Sequence, residues 1–255
     1  MEELELKSFL DEKADQYNSV SFISTDPIQV PHQYKDPEDI EIAAFLTAIL
    51  SWGQKATIIS KSGELLSRMQ GSPHEFIMEF REKQLNRFIP FVHRTFNGLD
   101  CIYFLRALQR VYRHHGGLQL VFEEGYKEHG DLFNAIVRFR KIFLQIADPG
   151  RTVKHLADPL KGSSAKRINM FLRWMIRSDK RGVDFGIWEG IPMSELYIPL
   201  DVHTGSVARK LGLLNRKQND WKAVRELTEK LRQFDPEDPV RYDFALFGLG
   251  SFERF

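Results

Sequence analysis

Two side chains between residues 160 and 214 have the types and contexts for covalent chemistry on a sugar. Lys166 follows the turn Leu160-Lys161-Gly162-Ser163-Ser164-Ala165 and opens a helix. Asp201 stands in Ile198-Pro199-Leu200-Asp201-Val202-His203-Thr204, a second helix start. An amine freed of its proton can attack C1′ of a deoxyribose and form a Schiff base. An ionised carboxylate beneath the sugar stabilises an oxocarbenium-like transition state, and the positive end of a helix dipole favours such an anion. Each residue also has a plainer reading, Lys166 as part of a solvated basic helix face and Asp201 as an N-cap.

The helix that carries Lys166 spans 163–177 in the sequence reading. Ile168, Phe171, Leu172, Met175 and Ile176 form its apolar stripe, and Lys166, Asn169, Arg173 and Arg177 lie opposite, predicting a cationic face. The net charge is only +1, but Lys161, Lys166, Arg167, Arg173, Arg177, Lys180 and Arg181 fall close together, and Arg209, Lys210, Arg216 and Lys217 follow Asp201. Acidic residues gather elsewhere, from Glu2 to Asp15 and from Asp235 to Asp238. Local cations beside a helix start suit phosphates.

Nearly every long segment has helical period, so the predicted class is all-α, with strand-like alternation confined to Val20 to Ile23. Predicted helices run over 3–16, from Pro37 through Trp52, then 55–69, 73–80, 99–114, 117–127, 131–146, 163–177, 201–212, 220–233 and 239–251. Leu4, Phe9, Leu10 and Ala14 are the expected buried face of the first. The second is apolar around most of its circumference and should be central. Asp36 and Asp238 precede prolines and read as caps.

At 255 residues, 42% hydrophobic and 28% charged, the chain can bury a sizeable core. A single cysteine, Cys101, excludes an internal disulfide or a cluster held by four cysteines, and its neighbours Leu99, Ile102, Tyr103 and Phe104 place it in the core. The chain has no apolar run of membrane-spanning length and begins with Glu2, Glu3 and Glu5, so a soluble cytoplasmic protein is expected, nucleoid-associated if bacterial. His114, His115 and His129 lack a carboxylate or cysteine at a helical ligand offset, and no metal or other cofactor is expected.

Leu-x-Gly-x-x-x-Lys opening a helix, followed by Pro199-Leu200-Asp201-Val202-His203 and Val207-Ala208-Arg209-Lys210-Leu211-Gly212-Leu213, resembles the helix-hairpin-helix (HhH-GPD) DNA glycosylase superfamily. Ala48-Ile49-Leu50-Ser51-Trp52-Gly53-Gln54 is similar to that family's segment beside the lesion pocket, and Phe244-Ala245-Leu246-Phe247-Gly248-Leu249-Gly250 to its closing helix. The long interval from Lys166 to Asp201 and the absence of a cluster look more like the archaeal 8-oxoguanine glycosylase branch, or a bacterial family related to it. Two departures stand in the hairpin: Ser164 replaces its second glycine and Lys161 its proline. Lys161, Ser163 and Ser164 offer side-chain donors in exchange.

The resemblance implies one two-lobed helical unit with the active-site cleft between the lobes. Lobe A, mainly like a six-helix barrel, would cover about 40–150, and lobe B 1–37 plus 151–255. It places Lys166 on the Schiff-base lysine and Asp201 on the catalytic aspartate. Contacts to DNA fall to Lys161, Gly162, Ser163, Ser164, Arg167, Arg173, His203 and Arg209. An extruded base must be held between aromatic or apolar groups, for which Trp52, Gln54, Phe247 and Phe252 are candidates, each phenylalanine having core packing as its plainer role. The implied function is a monomeric base-excision glycosylase with β-elimination (AP lyase) activity on an oxidised purine such as 8-oxoguanine in damaged duplex DNA. The alternatives are a helix-hairpin-helix nucleic-acid-binding protein without turnover and a metal hydrolase, the latter lacking a ligand set.

Overall fold

A computed structural model describes residues 2–146, 149–253 and 255, and the fold is all-α. In chain order the helices are α1 (Glu3–Tyr17), α2 (Val20–Ile23), α3 (Pro37–Leu50), α4 (Lys55–Ser67), α5 (Pro73–Glu79), α6 (Gly98–His115), α7 (Leu118–His129), α8 (Leu132–Phe143), α9 (Lys166–Ile176), α10 (Val202–Lys210), α11 (Trp221–Phe234) and α12 (Tyr242–Ser251). Among the described residues no helix is long and apolar enough to cross a membrane.

The alternation at Val20 to Ile23 reads as a strand but folds as the single helical turn α2. Among the described residues no strand pairs with it, and an isolated four-residue strand would leave its backbone groups without partners. The paired strands lie instead at β1 (Val92–His93) and β2 (Phe96–Asn97), with Val92 opposite Asn97 and His93 opposite Phe96. Two-residue strands are too short to leave a period in the sequence.

The chain divides into two compact units, one from Thr25 to Ala157 and the other from the N-terminal segment through Ser24 joined to Asp158–Phe255. The first boundary falls before the expected residue 37, because Ile28 and Val30 are buried and the short 3-10 turns Pro27–Gln29 and Pro31–Gln33 pack on α3. Within this unit every residue of α3 from Asp39 to Leu50 is buried, as its all-round apolar sequence predicts. Its two buried acids are both hydrogen-bonded: Asp39 accepts from Ser72 Oγ at 2.8 Å and from the His74 amide at 2.7 Å, and Glu41 accepts from Tyr112 Oη at 2.6 Å and from the Leu118 amide at 2.8 Å at the start of α7. Phe45, Phe104, Phe139 and Phe143 form an aromatic cluster around α3. Cys101 is buried there, and burial pushes its thiol up, which suits packing and not nucleophilic attack.

In the other unit α12 is the central element, packed against both α1 and α10. Glycines permit the close approaches: a Cβ at Gly248 would stand 2.1 Å from the Tyr17 ring of α1, and one at Gly250 would stand 3.2 Å from His203 Cβ of α10. On α1 the buried apolar residues are Leu6, Leu10 and Ala14, while Leu4 is exposed and Phe9 half-buried. Asp36 and Asp238 precede their helices without a side-chain capping bond. Asp238 instead binds Arg177 through both carboxylate oxygens.

Candidate active site

The turn before Lys166 is built from short backbone bonds. A 3-10 turn at Pro159–Lys161 ends at Gly162, whose φ of +84° is the left-handed conformation a glycine adopts freely. Ala165 then enters α9 at φ +48°, uncommon for a residue with a Cβ, and it is held there by its amide donating to Ser163 Oγ at 3.2 Å. The turn leans on the start of α11: Ser163 pairs with Asp220 as an isolated antiparallel bridge, and the Trp221 amide donates to Gly162 O at 3.1 Å. This bracing makes Lys166 the first residue of α9.

Asp201 is the N-cap of α10 and accepts the Thr204 amide at 3.0 Å. Its carbonyl is held by Asn219 Nδ2 at 2.9 Å, and Asn219 Oδ1 is held by Arg209 at 2.6 Å. With its backbone and one carboxylate oxygen fixed, its other oxygen, Oδ2, lies 3.9 Å from Lys166 Nζ. Side chains at these two positions remain 27% and 23% exposed, so an amine and a carboxylate 35 positions apart meet at an accessible point between two helix starts.

Below this pair the polar stripe of α9 runs inward. Arg173 and Arg177 are buried and not on a solvent face, which corrects the cationic face expected from the helical wheel and removes Arg173 from the DNA-contacting residues. The reason is a set of aspartates from other elements. Arg173 donates to Asp184 at 3.2 Å and to Asp243 at 2.5 Å, and Arg177 donates to Asp184 at 3.0 Å and to Asp238 at 2.8 Å. Asn169, one turn after Lys166, is buried with Nδ2 donating to Ser164 O at 3.1 Å, while its Oδ1 has no hydrogen-bond partner among the described residues.

Asp243, near the start of α12, is the titratable group that the sequence reading missed. Burial pushes its carboxyl up to about 6, against the pull of Arg173; the Asp201 charge raises it further and the Lys166 charge lowers it, so it senses both members of the pair. A clue was legible: a lone acid followed by Phe244-Ala245-Leu246-Phe247 must be buried with a cation.

The other expected residues divide. Lys161, Gly162, Ser163 and His203 are exposed, and Ser164 and Arg167 half-buried. Arg209 braces the loop after α10, donating to Arg216 O at 2.8 Å as well as to Asn219. Trp52 stacks on His155 at 5.6 Å between ring centres and tilts against His93, and Gln54 is exposed at the start of α4. Phe247 meets Phe22 and Phe252, while Phe252 stacks on Tyr17 at 5.5 Å, an aromatic cluster against the N-terminal segment. Among the described residues no group of three or more His, Cys, Asp or Glu side chains is placed to hold a metal ion.

A family model described as "Protein of unknown function (DUF2400)" matches residues 26–252. The chain belongs to this family. The DUF2400 match runs through both units and takes in Lys166, Asp201 and Asp243. Neither a curated protein nor a solved structure matches the chain.

Proposed function

We propose that this DUF2400 protein is a DNA base-excision glycosylase with AP lyase activity, acting on an oxidised purine such as 8-oxoguanine. The observation that supports the reading is the approach of Lys166 Nζ to 3.9 Å from Asp201 Oδ2 at two helix starts, both side chains partly open to solvent. The resemblance of the two sequence contexts to helix-hairpin-helix glycosylases supplies the substrate class.

The chemistry follows from the two groups. As the bond from C1′ to the base breaks, its electron pair leaves with the base and positive charge develops on the sugar ring, which the Asp201 carboxylate stabilises. The Lys166 nitrogen, its ammonium proton passed to solvent, bonds to C1′; Asp201 accepts the further proton that the nitrogen then carries and returns it to the ring oxygen as the bond from C1′ to that oxygen breaks. Opening of the sugar ring gives an iminium between Nζ and C1′; loss of a C2′ proton expels the 3′ phosphate, which is β-elimination. The capping bond to the Thr204 amide occupies Oδ1, leaving Oδ2 for this role.

The test is borohydride trapping. Duplexes bearing one oxidised purine are incubated with the full chain and borohydride, which reduces the iminium to a stable amine, and a covalent adduct is sought by gel. Adduct formation that Lys166→Gln abolishes is expected. An adduct that survives Lys166→Gln, or none with any oxidised base, overturns the proposal; salt-dependent binding without trapping would favour a non-catalytic nucleic-acid-binding protein.

A further inference from the structure

Most amides of the turn before Lys166 are engaged within the turn and turned away from an incoming phosphate. Three of its amides are already bonded within the turn: Lys161 N and Ser163 N donate to Asp158 O at 3.1 and 3.2 Å, and Gly162 N to Pro159 O at 2.9 Å. A fourth, Ala165 N, donates to Ser163 Oγ. A turn amide engaged in this way is a weak donor to an incoming anion.

Beside the turn lies a different resource. The Ser163–Asp220 bridge and the Trp221 amide bond to Gly162 O fix the loop between α10 and α11 against the hairpin. That loop and the first turns of α11 form an open groove of about 680 Å³ lined by Asn215, Arg216, Lys217, Gln218, Lys222 and Glu226. Its two acidic neighbours are engaged: Glu226 accepts the Asn215 amide at 2.6 Å, and Asp220 caps α11 while holding the Arg216 guanidinium, with Arg216 Nε at 2.6 Å. Lys217 and Lys222 are exposed and have no ion-pair partner among the described residues, as is also true of Lys161 on the hairpin itself.

We propose that the Lys217 and Lys222 surface of this groove, continued by Lys161, is the main phosphate-backbone contact of the protein with duplex DNA, taking over the grip that hairpin amides would supply. The inference deepens the glycosylase reading and rests on it for the choice of nucleic acid. The groove is open and lined by flexible ammonium groups, which suits a continuous polyanion better than an enclosed small anion. The Ser163–Asp220 bridge lies three residues before Lys166, so backbone bound here is held at a fixed place relative to the reactive amine.

Fluorescence anisotropy with a labelled duplex, measured across a salt series, tests this. Each phosphate contact contributes about 0.9 to the slope of log affinity against log salt, so Lys217→Gln with Lys222→Gln should lower the slope by about two and weaken binding roughly tenfold at low salt. Lys217→Arg with Lys222→Arg should bind as the unaltered chain does. Unchanged affinity and slope in the double glutamine variant overturn the proposal, as does failure of the unaltered chain to bind duplex. Trapping on the same preparations separates the two ideas. Loop-dependent binding without any Lys166 adduct leaves this surface standing and ends the glycosylase reading; an adduct formed equally well by the double glutamine variant at subsaturating DNA does the reverse.

Discussion

Arg173 Nη1 donates to Asp243 Oδ2 across 2.5 Å, joining α9 to α12 inside the unit that carries the Lys166–Asp201 pair. Arg173 lies seven residues after Lys166, two helical turns along the same stripe, so one row of polar side chains serves two purposes. Its outer end is open and reactive in type; its inner end is a closed network of arginines and aspartates.

The cap and chemical roles of Asp201 are separable. Asp201→Asn keeps a good N-cap and should change stability by less than about 1 kcal/mol, because asparagine also accepts the Thr204 amide. Loss of the charge should slow single-turnover base release by about 100-fold or more. Thermal melts and excision under enzyme excess check the two halves, and an equal loss of both would reduce Asp201 to a structural cap.

Asp243 predicts a pH dependence of stability. Its carboxyl, pushed by burial up to about 6, keeps its proton in the folded chain where the unfolded chain has lost it. Its contribution is therefore fully present below about pH 4, falls as pH rises through about 6, and amounts to about 3 kcal/mol at most. Urea titrations at pH 4.5 and pH 7 measure the difference. In Asp243→Asn this component should vanish, and an unchanged pH slope would mean that another group is responsible.

Removing the buried cation should be severe. Arg173→Met leaves Asp184 and Asp243 without a shared partner and should cost about 3–5 kcal/mol in urea unfolding. Arg173→Lys should recover little of this, because a single ammonium lacks the planar fork that reaches both carboxylates. A loss below 1 kcal/mol in Arg173→Met would show that the network is dispensable.

The packing of α12 on α1 depends on Gly248. A methyl group there collides with the Tyr17 ring, so Gly248→Ala should destabilise by about 1–3 kcal/mol, with a smaller loss when Tyr17 is also shortened to Leu. Gly250→Ala meets His203 and Val207 only at 3.2 Å and should cost less. A double-mutant cycle by chemical denaturation reads the coupling, and strict additivity would refute the contact.

The sequence by itself determined the all-α class, the central burial of α3 and the helix start at Asp201, because period, caps and breakers act within a few residues of the chain; the helix read as 163–177 begins instead at Lys166, after a turn that is braced by α11. Prolines and acids marked caps less well: Asp36 and Asp238 stand where caps belong, yet neither makes the bond, and Asp238 serves Arg177 instead. The α9 stripe shows why. Lys166, Asn169, Arg173 and Arg177 share a face by helical geometry, but whether that face meets water or aspartates depends on Asp184 in the loop after α9 and on Asp238 and Asp243, which lie 61 and 70 positions from the arginines they bind. Only the tertiary structure decided that, since desolvation and ion pairing are properties of what surrounds a side chain, and no local pattern encodes them.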